Sequence, residues 1–104
     1  MSYRIEKFAS NLKHCLAEIL LNHANDPSFK QVSLVEVIPS PDLKKVRIYI
    51  STMEDIDQML IRLNKAKGFL RKNLAERLYV KQVPDLFFAP DQDLKNDGKN
   101  GFLD

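Results

Sequence analysis

Few side chains in this sequence are equipped for catalysis, and their spacing keeps them apart. His14 and His23 are the two histidines. On a helix a nine-residue separation puts them about 180° apart, so they do not share a face. Cys15 is the single cysteine. It falls on an apolar stripe, where a free thiol is packing rather than a nucleophile, and no internal disulfide can form, as suits a reducing cytoplasm. "EDID" (54–57) places acids in the first turn of a helix, where they meet exposed N–H groups. "DQDLKNDG" (91–98) is a poor match to a calcium loop. Lys95 takes the fifth position, Asn96 the place that needs Gly, and Phe102 the closing Glu. The chain has three glycines and no Gly-x-x-x-x-Gly-Lys, so nucleotide hydrolysis is not expected. The reading is no enzyme, with no catalytic residue, cofactor or metal.

What stands out is charge. The 104 residues carry a net charge of only +2. Residues 59–84, however, hold seven bases (Arg62, Lys65, Lys67, Arg71, Lys72, Arg77, Lys81) against one acid, Glu76. The remainder holds nine bases and thirteen acids. A basic block in a weakly acidic chain suits a polyanion, although a solvated helix face would look the same. Lys67 and Arg71 are four apart and line one flank; Lys65 and Lys72 are seven apart and share another. Between these flanks lies Ala66-Lys67-Gly68. A Gly inside a helix costs about 1 kcal/mol relative to Ala. A small residue with Gly allows a kink, and a kink frees N–H groups that could hold phosphate. Spacing alone leaves phosphate binding and plain helix packing both open.

The elements that must position these residues follow from periodicity. Ile5, Phe8, Leu12, Cys15, Leu16, Ile19 and Leu20 form one helical stripe over 3–23. "NHANDPSF" ends it, since Pro27 turns Asp26 away from helix. "QVSLVEVI" (31–38) and "LKKVRIYIST" (43–52) read as an antiparallel strand hairpin around the turn "PSPD" (39–42). In the second strand Val46, Ile48 and Ile50 point one way and Lys45, Arg47 and Tyr49 the other. Thr52 with Asp55 resembles a capping box. Ile56, Met59, Leu60 and Leu63 start a second stripe, which resumes after Gly68 at Leu70, Leu74 and Leu78, with Phe69 to one side. "DLFFA" (85–89) is a third strand. Three strands need helices on one face, leaving the other face partly polar. Residues 1–90 are expected to form one domain and 91–104 a flexible polar tail. No apolar run reaches the length of a membrane span, and the N-terminus lacks the apolar core of a signal peptide.

Four stretches then resemble bacterial ribosome-binding factor A: the helix 3–23 followed by "DPSF", the hairpin with its "SPDL", "LNKAKGFLRKNLAERL", and "VPDLFF". They occur in the family's order and cover roughly residues 3–90. The resemblance implies an α+β, type II KH-like fold: helix-strand-strand-helix-kink-helix-strand, a three-stranded sheet with helices on one face. Where RNA-binding KH domains present Gly-x-x-Gly, this family has an Ala-x-Gly kink, matched here by Ala66-Lys67-Gly68. It further implies a cytoplasmic ribosome-biogenesis factor that binds the small ribosomal subunit and its rRNA late in maturation, near the decoding region and the 5′-end helix. Roles in 16S rRNA processing and in growth in the cold, and release with an assembly GTPase, come with it. Many relatives carry a longer C-terminal extension.

The expected RNA contacts are Lys65, Lys67, Arg71 and Lys72, with Arg62, Arg77 and Lys81 as flanking charge and Lys44, Lys45 and Arg47 as weaker candidates. Tyr49 is expected to pack across strands rather than to stack on a base. A monomer without membrane attachment is expected. Replacing Lys67 and Arg71 by Ala should weaken binding and leave stability nearly unchanged. The rival readings are a KH-type single-stranded RNA binder acting on mRNA, disfavoured by the missing Gly-x-x-Gly, and a protein-interaction module using a sheet edge or the hairpin.

Overall fold

Helix α1 (Tyr3–Asn22) crosses one face of a three-stranded sheet, with α2 (Ile56–Lys65) and α3 (Lys67–Leu78) beside it. The computed structural model describes residues 3–97. The strands are β1 (Val32–Pro39), β2 (Lys45–Thr52) and β3 (Asp85–Pro90), in the order β1-β2-β3. β1 and β2 are antiparallel; β2 and β3 are parallel, joined by the α2–α3 crossover. This is the expected α+β order with the helices on one face.

The core lies between the layers. Leu12, Leu16, Ile19 and Leu20 of α1 meet Val46, Ile48 and Ile50 of β2, with Met59, Leu63, Leu70 and Leu74 from the crossover. β1 needs a bulge to join them. Its apolar residues Val32, Leu34 and Val37 break the two-residue period. The pairing shifts between Leu34 and Glu36, so Val35 turns out to water and Val37 faces the core. β1 runs one residue further than expected, through Pro39, which an edge strand tolerates.

The "SPDL" turn has a physical reason. Ser40 is buried, and its hydroxyl donates to Asp42 Oδ1 (2.7 Å) and accepts from the Lys45 N–H (3.0 Å). Asp42 Oδ1 also accepts the Lys44 N–H (3.0 Å). These bonds hold Leu43 at φ 60°, a left-handed conformation that a leucine would otherwise avoid. They also hold the Asp42 carboxyl below its ordinary pKa, the Ser40 hydroxyl contributing most.

The second sheet face is partly polar, as expected, with Lys45 exposed and Arg47 half-buried, but it also carries a small apolar cluster. Tyr49 is fully buried there, with Ile38 and Ala89 around it and Leu94 packed on top. Leu94 belongs to the segment after β3, where residues Asp91–Asp93 form a 3-10 turn and Leu94–Asp97 one turn of helix. The expected polar tail thus begins with a packed turn; residues 98–104 lie outside the described residues.

Candidate nucleic-acid interface

The break between α2 and α3 sits at Ala66, not at Gly68. Ala66 has φ −89° and ψ 4°, in the bridge region, and it ends one helix and starts the next. Its N–H donates to the Arg62 and Leu63 carbonyls (3.1 and 3.2 Å), and its carbonyl accepts from Leu70 (2.9 Å). The helical ladder therefore skips Lys67, Gly68 and Phe69, whose N–H groups make no i→i−4 bond among the described residues. Gly68 is the second residue of α3 and does not take a left-handed φ; a Cβ there would meet nothing within 4 Å. The glycine is not what bends the chain.

The bases of residues 59–84 divide into groups. Arg62, Lys65 and Lys72 project from α2 and α3 into water. Lys67 is half-buried: its ammonium lies 5.1 Å from the centre of the Phe87 ring of β3, a cation–π contact that ties the kink to the sheet edge. Arg71 and Arg77 turn inward. Arg71 Nε donates to the Pro84 carbonyl (3.2 Å) and Nη2 to the Val83 carbonyl (2.9 Å), clamping the connection into β3. Arg77 Nη1 donates to the Asn73 carbonyl and Oδ1 (3.0 and 3.2 Å), and its Nε lies 3.9 Å from Glu18 of α1. The expectation that replacing Lys67 and Arg71 leaves stability unchanged is corrected for Arg71, because its guanidinium satisfies two carbonyls of buried residues.

The remaining candidates lie elsewhere. Lys81 and Lys44 border a groove of about 400 Å³ with Arg4 and Phe8, away from the kink. Lys45 and Arg47 are on the outer face of β2, opposite Asp85 and Phe87 of β3. Asp55 of "EDID" is the N-cap of α2, accepting the Gln58 N–H (3.0 Å). Thr52, expected as the cap, instead accepts from Glu54 (3.1 Å). No group of three metal-ligating side chains and no helix long and apolar enough to cross a membrane occurs among the described residues.

Beside the kink is a groove of about 330 Å³ that was not visible in the sequence. One wall is Arg62, Lys65, Ala66 and Phe69; the other comes from the segment after α1, with Asp26 and Phe29. The one sequence signal was Phe69 standing off the apolar stripe. Phe69 is 37% exposed, whereas Leu70 and Leu74 of the same helix are fully buried.

A family model described as ribosome-binding factor A matches residues 4–100. The chain is 38% identical over 96 residues to ribosome-binding factor A of Prochlorococcus marinus strain NATL1A, covering 88% of this chain and 78% of that one. The crystal structure of ribosome-binding factor A from Thermus thermophilus superimposes with a TM-score of 0.77 at 24% identity, over 85% of this chain and 96% of that one. A homology model of the Thermus thermophilus protein, fitted into a cryo-EM map of its complex with the 30S subunit, gives a TM-score of 0.70 at 26% identity, over 80% and 90%. With residues 4–100 matched and the fold reproduced, the chain belongs to the ribosome-binding factor A family.

Proposed function

We propose that this protein is an assembly factor that binds the small ribosomal subunit through its rRNA during late maturation, and does so by shape and charge rather than by base sequence. The observation that carries this is the clustering of Arg62, Lys65, Lys67 and Lys72 around a break in the crossover helices, in a member of a family whose Thermus relative has been fitted into a 30S complex. Phosphate is the group such a cluster suits: the lysines supply charge, and the interrupted ladder supplies N–H donors. Occupying immature rRNA while the 16S ends are processed, a role in growth in the cold, and release by an assembly GTPase belong to the same reading. So do a cytoplasmic location, a monomer, and the absence of a reaction of its own.

Sedimentation of lysate at low salt tests it. The protein should travel with free small subunits and not with whole ribosomes. Replacing Lys65 and Lys72 together by Ala should shift it toward the unbound fractions with the melting temperature unchanged, since both side chains are exposed. Unchanged co-sedimentation of that variant would move the contact surface away from the kink.

A further inference from the structure

The groove beside the kink has a composition that a general basic face does not require. Phe29 is almost wholly buried at its base, while the ring of Phe69 stays partly open to water. Arg62 and Lys65 stand at the rim. Asp26, however, is an acid lining the same space. Its Oδ1 accepts both the Ser28 N–H (2.9 Å) and the Ser28 hydroxyl (2.6 Å). Those bonds, the hydroxyl first, and the nearby Arg62 charge hold its pKa below the ordinary value, so it is an anion at neutral pH.

That combination sorts the parts of a nucleotide. A carboxylate inside the groove repels a phosphate, while the rim bases attract one. An aromatic ring accepts the flat face of any base, and Asn25 beside it offers both a donor and an acceptor to a base edge. The volume, about 330 Å³, is at the small end of ligand sites and fits one ring system rather than a helix or a strand.

Resting on the reading that this protein binds rRNA, we infer that the groove between the segment after α1 and the α2–α3 kink holds one unpaired base of that RNA, stacked on Phe69, with its phosphate outside on Arg62 and Lys65. The base must be splayed out of a loop, bulge or strand junction, since a paired base cannot present its face.

The chain contains no tryptophan, so Phe69→Trp places a single reporter in the groove. Titration with protein-free small-subunit rRNA should quench its fluorescence. Phe69→Ala should bind that rRNA about tenfold more weakly, within the range of one lost base stack. Phe69→Leu, which restores apolar volume without a ring face, should stay closer to Ala than to wild type. Thermal unfolding of each variant checks the fold; if Phe69→Ala does not fold, the quenching of Phe69→Trp decides. Wild-type affinity in Phe69→Ala, or an unmoved tryptophan signal, overturns the stacked base while leaving rRNA binding intact. Loss of affinity for whole subunits with none for naked rRNA also overturns it, since the groove would then hold a ribosomal protein segment. Failure of the wild type to bind either overturns the rRNA reading itself.

Discussion

At the scale of single residues, Arg71 and Lys72 are neighbours with opposite uses. In the sequence both are bases beside the kink. In the fold, Arg71 reaches back to the carbonyls of Val83 and Pro84, and Lys72 reaches water. Removing a donor from buried carbonyls costs about 1–3 kcal/mol per unsatisfied group. Arg71→Ala should therefore lower stability by roughly 1–3 kcal/mol, and Arg71→Lys should recover only part, because one ammonium cannot reproduce the planar fork. Lys72→Ala should change stability by no more than about 0.5 kcal/mol. Urea midpoints at constant m-value give the comparison; equal effects would show that the Arg71 clamp is not structural. Gly68 offers a second case. Its helical φ and the open space around it suit an alanine. Gly68→Ala should raise stability by about 0.4–1 kcal/mol, chiefly by narrowing the unfolded ensemble. A stabilised variant that loses rRNA binding would show that RNA backbone comes close enough to need the missing Cβ.

At the scale of elements, what the sequence revealed depended on how local the cause was. β2 alternates cleanly, and its inward residues Val46, Ile48 and Ile50 are all fully buried. α1 reads as one stripe for the same reason. β1 was less legible: its apolar residues fit the sheet only through a bulge at Val35, and that is set by pairing with β2. Tyr49 looked like part of an open face, because Leu94, which covers it, lies in a polar stretch with no period of its own. The cap of α2 lies three residues beyond the Thr52 that the sequence suggests. Thr52 and Asp55 both suit a cap, and only the backbone decides between them. Asp55 is extended (φ −64°, ψ 116°) and bonds to Gln58. Asp55→Ala should therefore cost about 1 kcal/mol, in the usual range for a lost N-cap. Asn at the same position should restore most of it. Chemical denaturation of the two variants distinguishes a cap from a mere surface acid; equal losses in both would assign the effect to charge on the helix dipole.

At the scale of the whole molecule, the basic block was visible because it is contiguous in the chain, but its division was not. Arg71 turns inward to carbonyls 12 and 13 residues further on, and Arg77 to Asn73 of its own helix and to Glu18 of α1. The groove beside Phe69 depends on residues 24–29, far upstream. With Arg71 and Arg77 engaged within the fold, the proposed function puts phosphate on Arg62, Lys65, Lys67 and Lys72 at the kink, with Lys81 and Lys44 at a separate groove. That number sets a measurable slope. Each phosphate neutralised on single-stranded or duplex nucleic acid contributes roughly 0.7 to 0.9 to the fall of log K with log salt. Four contacts predict a slope of about −3 to −4 for rRNA binding; engagement of the Lys81 groove as well would steepen it toward about −5. Lys65→Ala should reduce the magnitude by a little under one, whereas Phe69→Ala should lower affinity equally at every salt concentration, because stacking releases no counterions. Filter-binding titrations at several salt concentrations separate the two kinds of contact. A flat response would remove the electrostatic reading of the kink, and a slope changed by Phe69→Ala would mean that the ring positions the bases instead of holding one.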